Sequence, residues 1–520
     1  MTAPDRPRII FNDDGSNFLY AWDDLGAEDL RAYLGYLEGT QVDMVAWCVA
    51  FGGYVTYYES DVAERVGTGF LVTDRVRDRR FAHNRARLAR EVGDYVGFVF
   101  EQLREMGIAP LASFRMNDAH MSSDPVGPVA GRFWMNHPEW RVGEAFGYYR
   151  SCLDYAAPAV RQYLRMLVAE AVEKFPQMAG VELDAMRSPF FFREGQGPTN
   201  APIMTELVRT IREDLDRAAE RTGRERYHLR VNVPRSPELA LECGLDVGAW
   251  VEDGLVDGIS PGCYATDFGV PIEAWRELVG ERMLVHSYVN CSPATGQYLS
   301  VEEYRGVAAN AFAGGADGVC LFNVPCTLTE LPGLIARPVD QPPFPPPEFH
   351  AGYWHPDITR IPDILTELGD REALAALDKR FLFCMDDQLY RHYPPEPDRI
   401  NRHGALTVNT PWRCHEDYER AAEVAIEVKL VGVTVRDEFE FALNGQPVAP
   451  ERIERLHAPS GRDQRVHWRK LEPFSLYRID PDRSALRRGE NTLTVTMTER
   501  EPDLFGEALV RELTVDVRYA

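Results

Sequence analysis

Gly180-Val181-Glu182-Leu183-Asp184-Ala185-Met186-Arg187 follows a helix-like run and a turn at Phe175-Pro176-Gln177, and it reads as a short strand with acids at alternate positions. Side chains alternate across a strand, so Glu182 and Asp184 share one face. Ser188-Pro189 then ends regular pairing. Two carboxylates on one face of an otherwise apolar strand are costly in a plain core. They make sense where that face lines a wet cavity at the strand end.

Outward from this strand the same rhythm recurs: a short apolar strand, a polar tip, then an amphipathic segment. It predicts strands at 8–12, 42–49, 109–114, 180–184, 228–233, 258–261, 283–289 and 318–322. Helices are predicted between most of them, at 27–37, 84–106, 157–174, 204–219, 271–278 and 301–313. Eight β-then-α units fit a closed (β/α)8 TIM barrel. The rival is an open doubly wound sheet, which usually carries a Gly-rich phosphate loop after its first strand. Here that turn reads Asn12-Asp13-Asp14-Gly15-Ser16-Asn17, and its acids would repel a pyrophosphate. The fold class is therefore α/β, a barrel.

The barrel is expected over 1–335, a linker and mixed helical segment over 336–402, and a β-sandwich-like accessory domain over 403–520. The Pro-rich tract at 338–347 marks the edge of the first domain, and 371–377 is the best helix candidate beyond it. From about Gly404 the hydrophobic period changes to two, with strands expected at 405–408, 424–431, 438–443, 476–479, 491–497 and 508–517. Asn444-Gly445 is a type I′ hairpin signal.

With 520 residues the chain can bury a large core. The net charge of −24 argues against nucleic acid and anionic membrane as partners. No run approaches the apolar length of a membrane span, and no signal peptide is expected. The nine scattered cysteines lack a Cys-x-x-Cys pair, and Cys48 and Cys320 read as buried thiols, which suits a reducing cytoplasm.

In a barrel the active site is built at the C-terminal strand ends. Read in order, those ends carry Asn12, Asp13 and Asp14; Trp47; Arg115, Asn117, Asp118 and His120; Glu182, Asp184 and Arg187; Arg230 and Asn232; Tyr264 and Asp267; Tyr288 and Asn290; and Asn323. The insertions at 52–80, with Tyr54, Tyr57 and Tyr58, and at 124–140 are expected to wall the mouth. Paired carboxyls across a cleft are the machinery of glycosidic cleavage, one protonating the departing oxygen and the other attacking or activating water. Asp184 is the first choice for nucleophile or base. Its acid partner is Asp118 or Asp267, and Glu182, one pair deeper, is either a second catalytic acid or a buried carboxylate neutralised by Arg115 or Arg230. Bland roles compete, an Asx turn for Asp118 and a helix cap for Asp267. Trp47, Trp134, Tyr264 and Tyr288 would stack on a sugar, while Asn12, Asn117, Asn232 and Asn323 would read its hydroxyls.

No cofactor and no metal are expected, since no His-x-His or His-Glu-x-x-His pattern occurs. Asp13, Asp14 and Asp118 with His120 nonetheless keep a metal-assisted lyase, aldolase or isomerase open as an alternative. A non-catalytic carbohydrate-binding protein is the third reading. Arg115, Arg187 and Arg230 either neutralise the acids or offer a fork to an anionic sugar. The expected partner is a carbohydrate, with homo-oligomerisation open.

The stretches Phe11-Asn12-Asp13-Asp14-Gly15, Phe114-Arg115-Met116-Asn117-Asp118-Ala119-His120 and 180–187 resemble the glycosyl-hydrolase-like barrel proteins grouped near family 10. So do Gly244-Leu245-Asp246 and the run from Trp250 to Asp257. The resemblance spans about residues 8–330. It implies a barrel acting on carbohydrate, often bacterial polysaccharide, with a β-rich C-terminal module. The chain departs from the family 10 xylanases, which carry Asn-Glu at strand four and a glutamate nucleophile at strand seven. Strand four here ends Glu182-Leu183-Asp184, and His286-Ser287-Tyr288-Val289-Asn290 holds no acid. The arrangement looks more like barrel hydrolases with an aspartate at the strand-four tip.

Overall fold

The computed structural model describes residues 3–21, 23–52, 55–68, 76–122, 125, 127, 129–263, 266–290, 299–322, 324, 358–384, 398–400, 407–458, 474–502 and 508–519. Tyr54, Tyr264, Asn323, the tract at 338–347 and residues 405–406 lie outside them.

Eight parallel strands close on themselves. They are β1 (Ile9–Asp13), β2 (Val42–Phe51), β3 (Ala109–Arg115), β4 (Gly180–Asp184), β5 (His228–Pro234), β6 (Gly258–Gly262), β7 (Leu284–Asn290) and β8 (Gly318–Phe322). Each pairs with the next, and β1 pairs with both β2 and β8, so no edge is left. This is the TIM barrel that the strand rhythm implies. Period-two alternation sorts its side chains. In β4, Val181 and Leu183 face the helices while Glu182 and Asp184 face the interior, where Ser113 and Arg230 meet Glu182 and Arg115 lies near Asp184. Gly180 opens β4 because a Cβ there would overlap the His228 carbonyl of β5.

Helices separate the strands, including Ala27–Gly35, Pro158–Lys174, Gly197–Thr222 and Ile272–Val279. One expectation fails. The single helix over 84–106 is two, Val76–Val92 and Tyr95–Glu105. Gly93 adopts a φ of +74°, and Asp94 caps the second helix by accepting from Val96 N at 2.9 Å. A left-handed residue followed by a cap ends one helix and starts another even though the apolar periodicity runs on.

Compactness divides the chain into two units, Met1–Tyr264 with Pro271–Tyr288 and Gly314–His350, and Ala265–Val270 with Val289–Ala313 and Ala351–Ala520. The second holds two antiparallel sheets. One has five strands in the order Lys379–Cys384, Ala508–Arg518, Glu423–Val431, Phe474–Ile479 and Ile453–Ala458, with Asp398–Ile400 also pairing to Ala508–Arg518. The other runs Thr407–Cys414, Gly489–Glu499, Glu438–Leu443 and Gln446–Pro447. Tyr477 of the first packs on Phe439 and Phe441 of the second, with ring centroids 5.6 and 5.1 Å apart. Asn444 and Gly445 both have positive φ, as a type I′ hairpin needs. The strand Lys379–Cys384 was not expected, because the sequence soon turns irregular beyond Asp378-Lys379-Arg380. In the sheet Lys379 is buried and pairs with Glu416 at 3.0 Å.

Gly180→Ala forces a methyl group into the β5 backbone and should destabilise the barrel by about 1–3 kcal/mol. A urea titration reads this as a lower midpoint with unchanged slope. A midpoint equal to wild type would contradict the close approach.

Candidate functional site

The interior and C-terminal ends of β1, β3, β4 and β5 bring five carboxyls and three guanidiniums together: Asp13, Asp14, Asp118, Glu182 and Asp184 with Arg115, Arg187 and Arg230. Arg115, the last residue of β3, is the hub. It is 2% exposed, pairs with Asp14 beyond β1, and lies 3.8 Å from Asp118. Its guanidinium also faces the Phe51 ring at 4.6 Å. The register sets Arg115 beside Asp184, and Met116 N donates to the Asp184 carbonyl at 3.0 Å.

Asp13 and Asp14 diverge, as neighbours on a strand end must. Asp13 accepts from Tyr33 Oη at 2.6 Å and from Gly15 N at 2.8 Å, while Asp14 turns to Arg115. Gly15, at φ +71°, makes the turn where a Cβ would strike the Cys48 carbonyl.

Deeper in the barrel, Glu182 Oε1 accepts from Asn12 Nδ2 at 2.5 Å and Ser113 Oγ at 2.9 Å. Its other oxygen lies 3.4 Å from Arg230 Nε, and Arg230 also donates to Ser260. Of the two arginines considered for Glu182, Arg230 is the one in contact. Asn232 lies beside both Glu182 and Asp184 and counts against the rise of both acids, although its amide meets neither in a well-formed hydrogen bond.

Asp118 faces His120 and Arg187. Its Oδ1 contacts His120 Nδ1 and accepts from His120 N at 2.8 Å, closing an Asx turn. Its Oδ2 lies 3.6 Å from Arg187 Nε. Asn117 donates to the carbonyls of Leu153 at 3.1 Å and Phe190 at 3.0 Å, tying together the loops beyond β3 and β4.

Burial and charge split these acids. Burial pushes Glu182 and Asp13 up to about 7 each, against the pull of Arg230 on the first and Tyr33 on the second. Asp184 is raised as well, by burial, with Arg115 opposing. Burial also works to raise Asp118, but His120, Arg187 and Arg115 outweigh it and hold that carboxyl well below the usual range. The split follows the neighbours and not burial: Asp118 is as buried as Glu182, but His120, Arg187 and Arg115 all bear on it.

The remaining residues singled out from sequence are placed differently. Asp267 falls in the second compact unit and accepts from Gly269 N at 2.8 Å, so its turn is an Asx turn and not a helix cap. Asn290 also falls in that unit, where its carbonyl accepts from Thr266 Oγ1 at 2.6 Å. Trp47 and Tyr288 are each 1% exposed, Trp47 beside Asp13 in the register and Tyr288 stacked on Phe322 at 5.1 Å. Trp134 is buried under Arg141. Ser113 and Ser260 were overlooked, although each shares a strand face with a residue already suspected. Ser113 lies two before Arg115, and Ser260 is the register partner of Asn232. Among the described residues no group of three or more His, Cys, Asp and Glu is arranged to hold a metal ion, and no helix is long and apolar enough to cross a membrane.

No family model matches the chain, the family 10-like ones included, and no curated protein matches it. Solved structures do. The chain is similar to a class V chitinase from Pseudomonas fluorescens Pf-5, at 13% identity over 55% of this chain and 68% of that one, with a TM-score of 0.28. It is similar to the PgaB (BpsB) glycoside hydrolase domain from Bordetella bronchiseptica, at 11% identity over 69% and 99%, TM-score 0.39. A GH18 chitinase from Pseudoalteromonas aurantia matches at 11% identity over 61% and 94%, TM-score 0.32. Identities this low leave the chemistry of this chain to its own residues.

Raised carboxyls have a signature in stability. Glu182 and Asp13 keep protons in the folded state that the unfolded chain releases near pH 4. The stability they contribute is full below that pH and is lost as pH rises through about 7. Glu182→Gln should therefore flatten the decline between pH 4.5 and 7 by about one proton's worth of slope, read from urea midpoints across pH. An unchanged slope would show that Glu182 is ionised throughout.

Proposed function

We propose that this chain is a glycoside hydrolase that cleaves an O-glycosidic bond at the barrel mouth. One observation carries the reading. Asp184 and Asp118 stand at adjacent strand ends, both near Arg115, and burial raises the first while His120, Arg187 and Arg115 hold the second down. Carboxyls pushed apart in this way divide the acid and base roles of glycosidic cleavage. The direction reverses the first assignment from sequence. Asp184, raised by burial, is the better proton donor to the departing oxygen. Asp118, held ionised by His120, Arg187 and Arg115, supplies the negative charge needed on the other side of the bond.

The arginines fit the neutralising role considered from sequence. Arg115 serves Asp14 and Asp118, Arg187 serves Asp118, and Arg230 serves Glu182. We therefore propose a neutral glycan as substrate in preference to a uronate or sulfated one.

Asp184→Asn should lower kcat by more than about 10²-fold in a protein that stays folded and still binds glycan. Wild type should cleave neutral oligosaccharides in a screen of neutral, uronic-acid and sulfated glycans, with products followed by NMR. Near wild-type turnover in Asp184→Asn would remove the assignment, and cleavage confined to acidic glycans would remove the neutral substrate.

A further inference from the structure

We propose that His120 is the residue that exchanges a proton with the substrate-side water at this mouth, with Asp118 acting through it as its positioning residue; the proposal rests on the glycosidase reading. Access is the first reason. Within the cluster the side chains of Asp118, Arg115, Arg187 and Asp14 are 0, 2, 11 and 13% exposed, whereas that of His120 is 45% exposed. A molecule arriving from solvent meets the imidazole before it can meet the carboxylate behind it.

Geometry is the second. Asp118 holds His120 at two points, accepting from its backbone N–H at 2.8 Å and contacting Nδ1 of its ring. The ring leans on Phe51, centroids 5.7 Å apart at 51°. An ionised carboxylate can only accept, so Nδ1 carries its proton toward Asp118, and Nε2 is the ring atom that exchanges a proton with water. Arg187 Nη2 stands 3.5 Å from Nε2. The charged groups that face this dyad are Asp118 and Arg115 from β3 and its loop and Arg187 from the loop after β4, with Asp14 and Asp184 against Arg115. A base oriented by a buried acid is the arrangement that general-base catalysis requires.

The step balances as follows. His120 Nε2 takes a proton from water as the water oxygen bonds to the anomeric carbon. The bond from that carbon to the leaving oxygen breaks, its electron pair goes to that oxygen, and the oxygen takes the proton of Asp184. Solvent then carries the proton of the imidazolium back to the Asp184 carboxylate. One direct displacement by water inverts the anomeric carbon.

The test uses the full chain with a glycan that wild type cleaves. In His120→Ala, kcat should fall by more than about 10²-fold with KM within about threefold of wild type. Added imidazole should restore part of the rate, the more so at higher pH where its free base dominates, and the wild-type product should be the inverted anomer by NMR. If His120→Ala does not fold, His120→Gln is read by the same kcat and KM criteria. A kcat within about threefold of wild type, a loss that imidazole leaves unchanged, or a retained anomer would overturn the proposal. Asp184→Asn inactive beside a fully active His120→Ala would keep the glycosidase reading and remove His120 alone. Failure of wild type to cleave any glycan would remove both.

Discussion

A single buried guanidinium sets the terms for this barrel mouth. Arg115 is nine-tenths of the way out of water and more, and it survives there because Asp14 and Asp118 approach it from different strands while Phe51 covers its face. A buried arginine without such partners is strongly destabilising, and so is a buried aspartate without its arginine. Strands β1 and β3 are thus coupled across β2 by charge as well as by the sheet. The turn at Gly15 and the Asx turn at Asp118 exist to bring those carboxylates round.

The other acids follow from what Arg115 cannot serve. Glu182 sits one residue pair deeper than Asp184, meets a second arginine that is itself fully buried, and retains a proton to about pH 7. Burial works against the charge of Arg230 as well and lowers its pKa. Asp184 lies between this deep pair and the outer cluster, subject to burial from one and to Arg115 from the other.

Much of this was legible in the chain itself. Short apolar runs ended by polar tips mark all eight barrel strands, and the period of two puts Glu182 and Asp184 on one face. Strand ends could be aligned because parallel neighbours in a closed barrel finish together. What the letters hid was pairing across the barrel. Asp14 to Arg115 and Arg230 to Glu182 join residues far apart in sequence, and several arginines competed for several acids. Protonation was hidden for the same reason, since Asp118 and Asp184 look alike until one gains His120 and Arg187. The helix break at Gly93-Asp94 was masked by apolar periodicity running through it, and Lys379–Cys384 by the irregular sequence beyond Arg380.

The most direct measurement is a crystal structure of the Asp184→Asn chain soaked with an oligosaccharide that the wild type cleaves. The account predicts an intact sugar across the mouth, its glycosidic oxygen within hydrogen-bond reach of residue 184 and its anomeric carbon turned toward His120. Sugar bound only on the sheets of the second unit, with nothing at the mouth, would contradict it.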